Sequence, residues 1–273
     1  MPSRTVRRRL LRVGEGTVQW RGDDVVAEEP LEIRVGGAPL AVTMRTPGND
    51  FELCVGFLLS EGVVTAPEQV ELIQTCSWKD SGEMNVLDVT LRPDAPPLGA
   101  GAARNFYTTS SCGLCGKASI DAIRTRAAWP VGDDPLRVTP ALLSSLPARI
   151  REAQQVFSRT GGLHAAGLFS AGGDLLCLRE DVGRHNAVDK VVGWAATSRR
   201  LPLRSHLLMV SGRASFELTQ KALMAGIPLL AAVSAPSSLA VDLAEEAGMT
   251  LVGFLREATM NVYAGAQRVV TPD

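Results

Sequence analysis

The chain has 273 residues, of which 45% are hydrophobic and 5% aromatic, a composition typical of one large or two modest globular domains. Its 28 Lys and Arg against 29 Asp and Glu give a net charge of −1, so no global field favours a nucleic acid or a membrane as partner. Charged residues interrupt each apolar stretch before it reaches the roughly 18 residues of a spanning helix, so we expect no membrane crossing.

The N-terminal residues 1–12 contain five arginines, but no apolar core of a signal peptide follows them. We therefore predict a flexible, solvated basic tail on a cytoplasmic protein, with an anion-binding arm as the alternative. The five cysteines are an odd number with only one close pair, in a chain that shows no secretory signal. This combination argues against a disulfide framework. The other three lie in apolar sequence and are expected to be buried: Cys54, Cys76 and Cys177.

Residues 13–103 are predicted to form a β-rich N-terminal subdomain. Residues 31–35 and 39–45 alternate as two strands joined at Gly36 and Gly37, which is a hairpin signal. A buried helix is predicted over residues 51–59, and further strands over 70–76 and 84–91. Residues 104–160 are then predicted to hold a cysteine loop, a helix over 118–128, a linker or lid, and a second helix over 139–158.

From residue 161 to 273, strands and helices alternate, which predicts an α/β core. The predicted strands are 165–170, 175–179, 207–210, 229–233 and 250–254, and the predicted helices are 182–196, 215–224 and 237–247. The last three strands are short and apolar, as in right-handed βαβ crossovers with a sheet covered on both faces. Ligands of such sheets bind beyond the carboxyl ends of the strands.

Cys112 and Cys115 form a Cys-Gly-Leu-Cys motif just before a predicted helix start near Lys117. A helix N-terminus and a nearby cation both stabilise a thiolate, so we expect a lowered pKa for the Cys112 thiol. A zinc site remains an alternative, although one such pair supplies only half of a tetrahedral shell. A thioredoxin-type pair is a second alternative, although a long segment precedes the motif here.

Several motifs together resemble one family, the formate dehydrogenase accessory proteins of the FdhD family. These motifs are Arg-Thr-Pro-Gly-Asn-Asp at 45–50, Gly-Phe-Leu-Leu-Ser-Glu-Gly at 56–62, Ser-Cys-Gly-Leu-Cys-Gly at 111–116, Thr-Gly-Gly-Leu-His-Ala-Ala at 160–166, Arg-Glu-Asp-Val-Gly-Arg-His-Asn-Ala-Val-Asp-Lys at 179–190, Ser-Gly-Arg at 211–213, and the stretch 221–256. The resemblance covers nearly the whole chain outside the basic start and residues 63–104 and 128–158.

The resemblance implies a sulfurtransferase that takes a persulfide from a cysteine desulfurase. It also implies that the sulfur is delivered to a molybdenum cofactor, bis-molybdopterin guanine dinucleotide, which the protein binds as cargo. The cofactor then serves the formate dehydrogenase catalytic subunit. Cys112 matches the family's persulfide cysteine and Cys115 its companion. The implied fold is a cytidine-deaminase-like mixed sheet with helices on both faces, and the implied working unit is a homodimer with no permanently bound metal.

The cargo carries pyrophosphates and guanines, so its site should offer cationic forks and helix N-termini. The segment that matches the family's cofactor-binding residues is Phe254, Leu255, Arg256, Glu257, Ala258 and Thr259. Arg213, Arg184 and His185 are further candidates. His185 and Asp189 share a helical face, where a purely structural polar cluster with Arg184 and Lys190 is the alternative. His164 is hard to assign, and His206 is expected to be structural.

Two other functions stay open at the sequence level. Zinc deaminases combine His-x-Glu with Pro-Cys-x-x-Cys, but Cys112 follows Ser111 here and no histidine is followed two residues later by Glu. A zinc-dependent deaminase-like hydrolase is thus the runner-up. A non-catalytic chaperone that only holds the cofactor is the other alternative.

Overall fold

The computed structural model describes residues 3–14, 16–77, 85–97 and 127–270, and these form three sheets with helices packed between and around them. Among the described strands, β1 (Thr5–Gly14) and β2 (Thr17–Val26) pair only with each other, as an antiparallel hairpin. The prediction of a flexible tail over residues 1–12 is therefore wrong from Thr5 onward. The arginines keep β1 out of the core, but they do not prevent its backbone from pairing with β2.

A four-stranded sheet follows, in the order β4-β3-β6-β5. Its strands are β3 (Glu29–Val35), β4 (Ala38–Arg45), β5 (Val70–Cys76) and β6 (Val86–Leu91). The predicted hairpin is confirmed, with Gly36 and Gly37 at φ of 57° and 80° in its turn. The predicted helix is confirmed as α1 (Asp50–Ser60), which packs against this sheet.

The larger sheet has six strands in the order β12-β11-β10-β9-β7-β8. They are β7 (His164–Ser170), β8 (Leu175–Asp181), β9 (His206–Val210), β10 (Leu229–Ala232), β11 (Thr250–Arg256) and β12 (Thr259–Ala264). Strands β9, β10 and β11 are parallel, which confirms the predicted crossovers. The antiparallel edge strand β12 was not predicted.

Helices cover both faces of the larger sheet. They are α2 (Pro140–Ala153), the single turn α3 (Phe157–Thr160), α4 (Arg184–Thr197), α5 (Phe216–Met224) and α6 (Ser238–Glu246). Leu207 and Met209 of β9 pack with α2, whereas the alternate residues Leu208 and Val210 face α4 and α5. The mixed α/β prediction with helices on both faces is confirmed. The helix predicted over 139–158 ends at Ala153.

One hydrophobic core extends from the small sheet through α1 and α4 to the large sheet. Helices α1 and α4 cross in close contact, because Gly56 faces the Asp189 carbonyl and Gly193 faces the Glu52 carbonyl. The predicted domain limits at residues 13, 104 and 161 stay predictions. Cys112, Cys115 and the helix predicted to follow them lie outside the described residues, except for the last two positions of that helix.

Candidate functional site: the carboxyl edge of the parallel strands

The turns after β9 and β10 hydrogen-bond to each other, and the turn after β10 also hydrogen-bonds to the last residues of β11. The Ser234 amide donates to the Gly212 carbonyl at 3.3 Å, and the Phe254 amide donates to the Ser234 carbonyl at 3.2 Å. Helices α4, α5 and α6 begin beside these strand ends, so backbone N–H groups without helical partners collect at this edge. The edge therefore has the backbone chemistry of an anion site.

His164 opens β7, which runs antiparallel to β9 and so places this residue at the same edge. A Cβ built on Gly212 would lie 3.5 Å from His164 Nδ1 and 3.9 Å from Arg184 Cδ. Any side chain at position 212 would thus contact both groups. Burial, and then the charges of Arg184 and His185, lower the pKa of His164 below its ordinary 6.5, which favours the neutral imidazole.

His185 lies at the start of α4 and faces the start of α5. Its Nε2 lies 3.5 Å from Ser215 Oγ and 3.8 Å from a Glu217 carboxylate oxygen. The neighbouring His185 ring is the main cause that lowers the pKa of Glu217 to about 2. Both neighbours approach the same ring nitrogen, so this group is not a relay in which a carboxylate orients one nitrogen while a hydroxyl meets the other.

Arg184 has a buried Nε that meets no hydrogen-bond partner in the described part of the chain. A buried donor without a partner costs free energy, unless a ligand or water satisfies it. Because the guanidinium also carries charge, its preferred partner is an anionic oxygen. Arg213, exposed in the turn after β9, adds a second cation to the same edge.

The segment from Phe254 to Thr259 links β11 to β12 across a bulge. Phe254 and Glu257 have φ of 51° and 49°, and the Phe254 ring is exposed. Arg256 donates from Nε to the Val233 carbonyl at 3.3 Å, which leaves its terminal nitrogens without a described hydrogen bond. Leu255 differs from the other candidates, because its side chain is fully buried in the core and only its backbone remains for a ligand.

Asp181 was not assigned a role from the sequence, yet it organises the turn that carries Arg184 and His185. This buried carboxylate accepts hydrogen bonds from the Gly183 amide at 2.8 Å and the Thr46 amide at 3.2 Å. Lys190 Nζ lies 2.6 Å away. Asp181 lies inside the motif at 179–190, which was the one sequence feature that could have pointed to it. A carboxylate at the end of a strand gives no indication that it will be buried.

The polar residues of α4 divide into a structural cluster and a group available for cofactor binding. Asp189 and Lys190 are buried and ion-paired, so they belong to the structural cluster. Arg184 and His185 lie at the strand-end edge, near Gly212 and Ser215. The structure thus brings Arg184, His185 and Arg213 together with the previously unassigned His164.

Two of the three described cysteines, Cys54 and Cys177, are unsuited to nucleophilic chemistry. Cys54 and Cys177 are buried, and burial raises the pKa of each thiol to about 12. Cys76, expected to be buried, is only partly so. Within residues 3–14, 16–77, 85–97 and 127–270, no three His, Cys, Asp or Glu side chains cluster as metal ligands. None of the helices over these residues is long and apolar enough to cross a membrane.

Comparisons with known proteins assign the family. A model described as the FdhD/NarQ family matches residues 26–270. A Streptomyces coelicolor relative named sulfur carrier protein FdhD is 61% identical, with 97% of this chain and 95% of the relative covered. A Mycobacterium tuberculosis relative of the same name is 55% identical, with 97% and 98% covered.

The fold has a counterpart in a crystal structure from Desulfotalea psychrophila, described as a formate dehydrogenase accessory protein. The two share a TM-score of 0.76 and 23% identity, over 98% of this chain and 100% of the other. At that identity the similarity concerns the fold. The family model, by contrast, covers most of the sequence, and the chain therefore belongs to the FdhD/NarQ family.

Proposed function

We propose that this chain is a sulfur carrier that accepts persulfide sulfur from a cysteine desulfurase and delivers it to bis-molybdopterin guanine dinucleotide for formate dehydrogenase. The observation that carries the proposal is the 61% identity, over nearly the full length of both chains, to a protein named as a sulfur carrier. The cargo, the donor and the enzyme served are carried over from the family resemblance. A cytoplasmic homodimer is the proposed working form.

In the proposed reaction, the Cys112 thiolate attacks the outer sulfur of the desulfurase persulfide. A new S–S bond forms on Cys112, and the desulfurase cysteine leaves as a thiolate. At the cargo, this bond breaks with its electron pair staying on Cys112, while the reduced metal supplies the two electrons that convert the outer sulfur to sulfide. Cys115 is the companion thiol. The pKa of about 12 for Cys54 and Cys177 supports a carrier cysteine elsewhere.

The strand-end edge is the proposed cargo site. Arg184, Arg213 and Arg256 supply cations for pyrophosphate oxygens, and the starts of α4 and α5 supply backbone N–H groups. The exposed Phe254 ring offers an apolar face to a planar base. The Arg184 Nε supports this assignment of the cargo site, because it is a buried donor with no acceptor in the described part of the chain.

Replacing Cys112 tests the proposal. Cys112→Ala should abolish activation of formate dehydrogenase while the protein still folds and binds guanine nucleotide. The matched control is Cys76→Ala, a partly exposed thiol at the end of β5, which should activate normally. After incubation with a desulfurase and cysteine, mass spectrometry should find one added sulfur atom on the Cys112 peptide. Normal activation by Cys112→Ala would contradict the assigned role.

The two alternatives give different results in the same experiments. A chaperone that only holds the cofactor predicts full activation by the double variant Cys112→Ala/Cys115→Ala and no sulfur on either peptide. A zinc-dependent deaminase-like hydrolase predicts stoichiometric zinc in the purified protein and its loss in the same double variant.

A further inference from the structure

The hairpin of β1 and β2 exposes a cluster of large apolar side chains near its turn. Leu11 lies opposite Trp20 and Val13 opposite Val18 in the strand register. Residues that lie opposite each other project from the same face, so all four share one face. Their exposed fractions are 44%, 71%, 66% and 60% for Leu11, Val13, Val18 and Trp20. Contiguous exposed apolar surface of this kind marks an interaction site.

Arginines surround this apolar cluster. Arg9 lies with its guanidinium 4.7 Å from the centre of the Trp20 ring, on the same face. Arg8, Arg12 and Arg21 project from the opposite face. None of these four arginines forms an ion pair with a residue in the described part of the chain, and with only Asp23 opposite Arg8 the four leave the outer hairpin with a net positive charge.

Within the described part of the chain, the hairpin contacts the rest of the molecule near its base. Asp24 is held by Arg7 at 3.2 Å and by Arg159 of α3 at 3.3 Å, and Val26 lies against Gly162. Among the described strands, each of the two hairpin strands pairs only with the other, so no described strand pairs with the backbone groups of their outer edges. Isolated two-stranded hairpins are marginally stable in water, and such edges are available to a further strand.

The family model begins at residue 26, where this hairpin ends. The alignment with the Streptomyces coelicolor relative covers 97% of the chain, which leaves too few residues uncovered to omit the hairpin. The hairpin is therefore outside the part that the family model describes but inside the part shared with that relative.

We propose that the outer hairpin is a docking arm for a protein partner that presents acidic groups around an apolar surface. The apolar cluster supplies the buried centre of the interface, and the unpaired arginines match an acidic rim. A second copy is a poor match, because its hairpin would bring the same arginines against these and the like charges repel each other.

Two purified proteins from the same organism serve as probes: the formate dehydrogenase catalytic subunit without its cofactor, and the cysteine desulfurase. This choice rests on the proposed function. Leu11→Ser/Trp20→Ser should weaken binding of one probe at least tenfold. Leu72→Ser on β5, where the leucine is 47% exposed, is the matched control and should bind as the unmodified chain does.

The charged groups are tested separately, in case the apolar variant disturbs the hairpin itself. Arg8→Glu/Arg12→Glu leaves the apolar cluster intact and should weaken the same complex, with a smaller dependence on salt concentration. Arg92→Glu, an exposed arginine beyond β6, is the control and should leave binding unchanged. Unchanged binding by both hairpin variants, or no binding of either probe to the unmodified chain, overturns the proposal.

Other occupants and a failure of the proposed function are distinguished by further measurements. If light scattering shows that the hairpin variants lose self-association while they bind both probes as the unmodified chain does, the hairpin binds a second copy. Binding to phosphatidylglycerol vesicles that the apolar variant alone loses would assign it to a membrane. Either result overturns docking to a protein partner. Cys112→Ala should bind the probe normally. If the unmodified chain binds the probe but gains no sulfur from the desulfurase, only the proposed function is contradicted.

Discussion

Helix α4 carries charged residues in two contrasting regions. In its middle, Asp189 and Lys190 are buried at the crossing with α1, and each lies within 3 Å of an opposite charge. At its start, Arg184 and His185 are only partly buried, and the Arg184 Nε has no described partner. The same helix thus holds one set of charges that is satisfied within the fold and another that is available to a ligand.

The crossing depends on this pairing because its charges are far from water. Lys190 lies 2.6 Å from Asp181, and Lys221 of α5 lies 2.9 Å from Asp189 and 2.8 Å from Glu61. Burial lowers the pKa of Lys190 and raises that of Asp189, which measures the cost of holding these charges inside. We therefore expect substitutions at the crossing to affect stability, and substitutions at the strand-end edge to affect ligand binding and pH dependence.

The largest effect is expected for Lys190→Met. It leaves the buried Asp181 carboxylate without its cation, and breaking a buried ion pair in this way costs about 3–5 kcal/mol. Urea denaturation measures the change. Arg159→Met breaks an exposed pair with Asp24 and is the control, with no measurable change in the urea midpoint expected. Equal effects of the two substitutions would remove the distinction between buried and exposed charge.

A smaller loss is expected for Gly193→Ala at the same crossing. A Cβ at this position would lie 1.8 Å from the Glu52 carbonyl oxygen, so α1 and α4 must move apart. Overpacking of this kind costs about 1–3 kcal/mol, measured by urea denaturation. Gly172→Ala is the control, because its Cβ would meet nothing closer than 3.7 Å. An unchanged Gly193→Ala protein would show that the two helices are not in rigid contact.

The α/β half of the fold could be predicted from sequence because its strands are apolar and its helices are bounded by turn residues. Three features could not. Strand β1 is mostly exposed and arginine-rich, so no apolar pattern marks it. Strand β12 follows a bulge, and only its first residue, Thr259, lies in the predicted cofactor segment, so no pattern marked the rest of it as a strand. The buried pairs of Lys190 and Lys221 join residues distant in sequence, and a lysine gives no local signal that its partner will be buried.

Much of the candidate site was predictable for a different reason. Arg213 and Arg256 follow predicted parallel strands, and the carboxyl ends of such strands meet at one edge. His164 was not placed there, because β7 is antiparallel and brings its first residue, rather than its last, to that edge. Such a position depends on strand direction, which the apolar pattern of β7 does not reveal.

The strand-end edge should influence stability mainly through pH, and His164 provides the smallest predicted effect. Because burial and nearby cations lower its pKa, the folded protein binds this proton less tightly than the unfolded chain does. Its contribution is complete above pH 6.5 and is lost as the pH falls from 6.5 toward the lowered folded-state value.

His164→Gln removes this proton linkage. The urea midpoint of the variant should therefore fall less between pH 7 and about 5 than that of the unmodified chain. Arg184→Gln should reduce the fall of the urea midpoint in the same direction but more weakly. Burial, which is the main cause of the lowered pKa of His164, remains in that variant. A urea midpoint that falls more steeply toward low pH in His164→Gln would mean that His164 is charged in the folded protein. The charges of the strand-end edge would then be paired within the protein, as those of the helix crossing are.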